Sequence, residues 1–141
     1  MQLTLNYNPF KKQLEAHAKK EPIVGYLGGW GSGKTTWVIA EAFRNTCFMP
    51  GIPGILCSPT FPVQRKTLYP TIVSLFPGAS RWPRGREKAR DCLGPLAREW
   101  NAQDRVLTLD IGSPKTPTSR GGTDWFFGSV DDPGSIEGGT C

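Results

Sequence analysis

Apolar residues along this chain fall alternately into short β-prone runs and longer helical stripes. Asn8 reads as a helix N-cap and Pro9 as a first helical residue. A helix is expected from there to about Lys20, with Phe10, Leu14 and Ala18 on one side. Ile23-Val24-Gly25-Tyr26-Leu27 is a compact apolar run with strand propensity. From Thr36 the period lengthens, setting Trp37, Ala40, Phe43 and Cys47 on one helical face. Pro50 to Gly54 makes a turn, and Ile55-Leu56-Cys57 reads as a second buried strand ending at Ser58-Pro59-Thr60. Gln64 to Phe76 then reads as a helix with Leu68, Ile72, Leu75 and Phe76 inward, bent at Pro70 and stopped by Pro77-Gly78.

Residues 79 to 102 are irregular and polar, after which Arg105 to Ile111 alternates as a half-buried strand. A Pro, Ser and Thr-rich loop from Ser113 to Ser119 precedes a further strand, Asp124 to Val130, and a Gly-rich end. Strand, helix, strand, helix, strand is the order of an α/β fold. No internal repeat is visible.

The segment between the first strand and the second helix changes the picture. Gly28 to Thr35 reads GGWGSGKT, a full match to the phosphate-binding pattern G-x-x-x-x-G-K-[ST]. The flanking strand and helix are the context that this loop requires. The expected fold is therefore an α/β P-loop NTPase, with a mainly parallel sheet flanked by helices.

Each residue type has a reason. Gly28, Gly31 and Gly33 let the backbone curl with its N–H groups inward, and Gly29, Trp30 and Ser32 complete the loop. Lys34 would set its ammonium on the β and γ phosphates, Thr35 would offer its hydroxyl to Mg²⁺, and Thr36 continues into the helix. The helix start adds a dipole favourable to anions. The ligand implied is ATP with Mg²⁺.

Composition narrows the class. One domain of 141 residues with 38% apolar content, five Trp and seven Phe can build a core. Cys47, Cys57, Cys92 and Cys141 show no C-x-x-C pairing, so reduced thiols are expected. No run approaches about 18 consecutive apolar residues, and the N-terminus does not resemble a signal peptide. His17 is expected on the surface, without a role. The net charge is +5, and Arg81, Arg84, Arg86, Lys88 and Arg90 crowd around Trp82 and Pro83. That run could touch nucleic-acid phosphates, or simply be a solvated loop.

Hydrolysis needs more than the loop: an Asp at the end of a neighbouring strand for Mg²⁺, with a Glu to orient water. Asp110, after Val106 to Leu109, and Asp131 or Asp132, after Trp125 to Val130, end apolar stretches. Either can equally be a strand surface residue or a turn opener.

GGWGSGKT preceded by a Gln-bearing helix, then ILCSPT, then GGTDWFFGSVDDPGSIEGGT, resembles the large terminase subunit of tailed phages. The resemblance covers nearly the whole chain, and DDPGSIEGG from Asp131 to Gly139 is its more family-specific part. It implies that residues 1–141 are the N-terminal portion of one P-loop ATPase domain, with the acidic Walker B strand and the nuclease domain absent. Such a portion is expected to bind ATP with negligible turnover.

By the same resemblance Gln13 would read the adenine edge, with Phe10 beside the base. Arg120 would stabilise charge on the γ phosphate, although Glu137 stands where the resemblance leads one to expect a basic residue. The implied partners are dsDNA held through its backbone, a portal protein, a small terminase subunit and further copies in a homo-oligomeric ring. The implied location is the host cytoplasm at the procapsid portal, with no membrane association. Two other classes compete: another P-loop enzyme such as a helicase or kinase, and a noncatalytic nucleotide-binding remnant.

Overall fold

The strand Thr123–Ser129 sits at the centre of the architecture. The computed structural model describes residues 4–111 and 122–134. Within them the order is α1 (Lys11–His17), α2 (Lys34–Phe48), β1 (Gly54–Ser58), α3 (Phe61–Leu75), α4 (Ala89–Leu93), β2 (Ala97–Asn101), β3 (Val106–Leu109) and β4 (Thr123–Ser129). The strands form one open sheet in the order β1-β4-β3-β2. The fold is α/β.

The sheet is mixed, which corrects the expectation of a mainly parallel one. β1 and β4 pair in parallel, Gly54 opposite Trp125 through Ser58 opposite Ser129. β3 pairs antiparallel with β4 and with β2. A short link forces this, because residues 102–105 can join β2 to β3 only as a hairpin, whereas parallel neighbours need a long crossover.

A second correction concerns Ile23 to Leu27, which forms no strand. Ile23 is 89% and Leu27 97% exposed, so the run lacks both a ladder partner and a buried face. An apolar run becomes a strand only when a neighbour accepts its backbone bonds.

Both long helices lie on one face of the sheet. Leu56, Leu107, Leu109, Trp125 and Phe127 are buried there. Trp125 Nε1 donates to Thr46 Oγ1 of α2 at 2.9 Å, and Gln64 of α3 donates through Nε2 to the Gly128 carbonyl at 3.0 Å. Ile39, Leu68, Ile72, Leu75, Phe76 and Leu93 close the core. On the opposite face Ile55 and Cys57 are exposed and Phe126 is half-buried.

α3 begins at Phe61, three residues before the expected Gln64. Thr60 is its N-cap, accepting from Val63 N at 3.3 Å, and Pro62 occupies the first turn. The helix runs through Pro70 to Leu75. Two elements lie in the stretch expected to be irregular, α4 and β2. Gly94 ends α4 at φ 83°, where a Cβ would stand 2.2 Å from the Pro77 carbonyl oxygen. Only glycine lets those two chain reversals touch.

Candidate nucleotide-phosphate site

The loop 28–33 leads directly into α2. Gly31 (φ 74°) and Gly33 (φ 76°) are both left-handed, a conformation that a side chain would strain. Gly33 is the N-cap, and its carbonyl accepts the first helical bond from Trp37 N at 2.9 Å. Ser32 N donates to Gly29 O at 3.3 Å, closing the turn. The pattern of glycines thus converts directly into backbone curvature.

Lys34 folds back over this curve. Its Nζ donates to the carbonyls of Gly28 and Gly29, each at 2.6 Å, and to Ser32 Oγ at 3.3 Å. A cation is therefore held at the mouth of the loop, beside the unpaired N–H groups that begin a fifteen-residue helix. Thr35 and Thr36 are half-buried in the first turn, and Trp30 is fully exposed at the loop tip. These residues fit a polyphosphate: Lys34 and the helix start supply positive potential, and Gly29 and Gly31 leave open space. Thr35 is the residue available to a magnesium ion, which takes one or two protein ligands and completes its shell with phosphate and water. Among the described residues no cluster of three or more His, Cys, Asp and Glu could hold a metal by itself.

α1 braces the loop from behind. Gln13 is 2% exposed, and its Nε2 donates to the Gly33 carbonyl at 3.1 Å while its Oε1 accepts from Phe10 N at 3.1 Å. A Cβ on Gly33 would lie 2.6 Å from Gln13 Nε2 and 3.0 Å from the Phe10 ring. The sequence pointed to Phe10, Leu14 and Ala18 as the packing face of α1, yet all three are exposed and Gln13 faces inward. Its amide is engaged with the loop's own backbone.

His17, expected on the surface, is instead 13% exposed in a polar brace between α1 and α2. The proton arrangement that satisfies every group has Tyr7 O–H donating to Nε2, 2.8 Å away, and Nδ1–H donating to the Glu41 carboxylate. Arg44 donates to Glu41 Oε1 at 2.6 Å and to the His17 carbonyl at 2.7 Å. Burial pushes the Tyr7 phenol up, with smaller contributions from Tyr26 and Glu41, which keeps it a donor. Tyr26 stacks on Trp37 and donates to the Ser32 carbonyl at 3.2 Å, so the segment before the loop is tied to the helix after it.

The acids separate by position. The turn after α2 touches the start of β4, where Gly51 N donates to Thr123 Oγ1 at 2.8 Å. α2 therefore runs with its N-terminus toward the carboxyl ends of β1 and β4. Asp131 and Asp132 follow β4 at that same end, where Asp131 N meets the Pro59 carbonyl and its Oδ1 accepts from Ser129 Oγ. Asp110 follows β3, whose last residue Leu109 pairs with Thr123, so it lies at the other end. The length of α2 puts it on the order of 20 Å from the loop. It is bound to Arg90 at 2.8 Å, with Arg98 at 4.0 Å. Arg120 and Glu137 lie outside the described residues, as does most of the stretch from Asp131 to Gly139.

The basic run is only partly free. Arg81 is paired with Glu87, and Arg90 with Asp110. Cys47, Cys57 and Cys92 are free thiols. No described helix is long and apolar enough to cross a membrane. Comparison with protein-family models, with curated proteins and with solved structures gave no match.

Proposed function

We propose that this chain binds Mg-ATP through Gly28 to Thr35, within a P-loop ATPase fold, as the nucleotide-holding part of a viral DNA-packaging motor. One observation carries the nucleotide reading: two left-handed glycines curl the backbone at the start of a fifteen-residue helix, with Lys34 folded into the curve. In this reading Lys34 exchanges its bonds to the Gly28 and Gly29 carbonyls for β and γ phosphate oxygens. The helix N–H groups bind the same anion, Thr35 Oγ1 turns to the metal, and Gln13 holds Gly33 in register. Magnesium, when bound, offsets phosphate charge and fixes the geometry for attack.

The motor assignment rests on the resemblance to terminase large subunits carried by GGWGSGKT, ILCSPT and the 121–140 stretch. It brings with it dsDNA held through its backbone, a portal protein, a small subunit, a homo-oligomeric ring and a place at the procapsid portal in the host cytoplasm. A chain of pI 9.2 suits a phosphate-rich partner.

The test is calorimetric titration of the chain with Mg-ATP, alongside Lys34→Ala. Binding that falls about tenfold or more in the variant is expected. Heat that is absent, or identical in the two proteins, would overturn the nucleotide reading. A second reading, an enzyme with its acid inside this chain, is favoured by Asp131 at the loop end of the sheet. Steady phosphate release that Asp131→Asn abolishes would select it; no release would leave a chain that binds without turnover.

A further inference from the structure

A groove of about 720 Å³ opens along the outer side of α3, built from a stripe that α-helical geometry sets every fourth residue: Phe61, Arg65, Tyr69 and Val73. Arg81, Trp82 and Arg84 from the segment after α3, with Trp100 and Arg105 from the β2–β3 hairpin, complete its lining. Four arginines line it and, among the described residues, no acidic one does. Arg81 is neutralised by Glu87, whereas Arg65, Arg84 and Arg105 form no ion pair among the described residues.

The rings are interleaved with these cations. Tyr69 and Trp82 are stacked at 4.0 Å and 6°, and Trp100 meets both edge-on at 5.7 and 5.0 Å. The Arg105 guanidinium lies 3.2 Å from the centre of the Phe61 ring. Arg105 is also the one non-glycine with positive φ among the described residues, at 53°. This conformation closes the β2–β3 hairpin, and from that turn the Arg105 side chain lines the groove. The buried indole N–H of Trp82 has no partner among the described residues.

We infer that this groove binds single-stranded nucleic acid, its phosphates on Arg65, Arg84 and Arg105 and its bases against the Tyr69, Trp82 and Trp100 platform. Unpaired cations alone would suit any polyanion. The aromatic platform selects a strand whose bases are free to stack, which a duplex keeps inside its own stack and an acidic peptide lacks. The volume falls in the range that encloses a nucleotide-sized ligand. This inference is independent of the ATP reading, because no residue of the groove belongs to the 28–35 loop.

The experiment is an anisotropy titration of the full chain with a fluorescein-labelled oligodeoxythymidylate, followed in parallel by tryptophan emission. Tight binding with quenched emission is expected, weakening between about 50 and 200 mM salt. Both Arg65 and Arg84 are exposed, so the double variant Arg65→Glu/Arg84→Glu is expected to fold with unchanged melting and to lose roughly tenfold or more in affinity. Lys34→Ala is expected to bind the strand as the parent does. Blunt duplex or heparin displacing the labelled strand equally well, without quenching and with the same loss in the double variant, would overturn the inference and leave an electrostatic groove. So would preference for poly-glutamate, wild-type affinity in the double variant, or no binding at all.

Discussion

Gln13 Nε2 donates to the Gly33 carbonyl at 3.1 Å, so a buried side chain on the first helix fixes the residue that caps the second. The bond spans twenty residues and joins α1 to the left-handed turn at Gly31 to Gly33. Replacing Gln13 with Leu keeps the volume and removes the bond. A loss of about 1–3 kcal/mol is expected, since the Gly33 carbonyl and Phe10 N–H lose a partner. Urea unfolding followed by tryptophan fluorescence measures it. If the loop binds ATP, affinity should fall further than stability explains.

Gly94→Ala should be far more damaging than a surface substitution. It combines a positive φ with a Cβ 2.2 Å from the Pro77 carbonyl, and backbone, unlike a side chain, has no rotamer to yield. At least about 2 kcal/mol is expected. A thermal midpoint within a degree of the parent would refute the contact.

Thr46 and Trp125 form a buried hydroxyl–indole bond across seventy-nine residues, joining α2 to the central strand. A double-mutant cycle of Thr46→Val with Trp125→Phe should show coupling of about 1 kcal/mol. Additive losses would mean that the pair contributes packing alone.

Acid should loosen the turn from Arg81 to Glu87 before the rest of the fold. The Arg81 guanidinium, the Arg84 N–H and smaller contributions hold the Glu87 carboxyl down to about 2. A lowered carboxyl pKa contributes stability above the ordinary value near 4.5. That contribution is lost as pH falls through 4.5 toward 2. Because the pair is exposed, the change should be local. Trp82 emission should shift in that window while far-ultraviolet dichroism holds, and Glu87→Gln should show the shifted emission already at neutral pH.

Ile55, 43% exposed on β1, is expected to promote association. Ile55→Lys should raise the concentration at which the protein begins to scatter light several-fold. Unchanged scattering would place the sticky surface elsewhere, with the exposed Ile23, Leu27 and Trp30 next in line.

Where periodicity was strong and local, the sequence disclosed the structure. α2, β1, α3 and β4 each lie within a few residues of where their apolar spacing puts them, and Thr60 with Pro62 would have placed the start of α3 correctly. β2 stayed hidden because its pairing register shifts between Ala97 and Glu99, which breaks the alternation that marks a strand. α4 is a single short turn, too brief to show a period. Ile23 to Leu27 misled for the opposite reason: its composition suits a strand, but strand formation is decided by a neighbour, which composition cannot supply. For the site, GGWGSGKT gave the curvature of the loop directly. Nothing in the spacing of Gln13 or His17 revealed that both face inward, since each is polar and its partners lie on other elements.

The two borders of the sheet differ in kind. β2 carries Arg98 and Glu99 and a register break, the features that discourage a foreign strand from joining. β1, reading Gly-Ile-Leu-Cys-Ser, has no charge, no proline and an unbroken register with β4. The sheet therefore has a preferred direction of growth, with an added strand favoured beside β1 and discouraged beside β2.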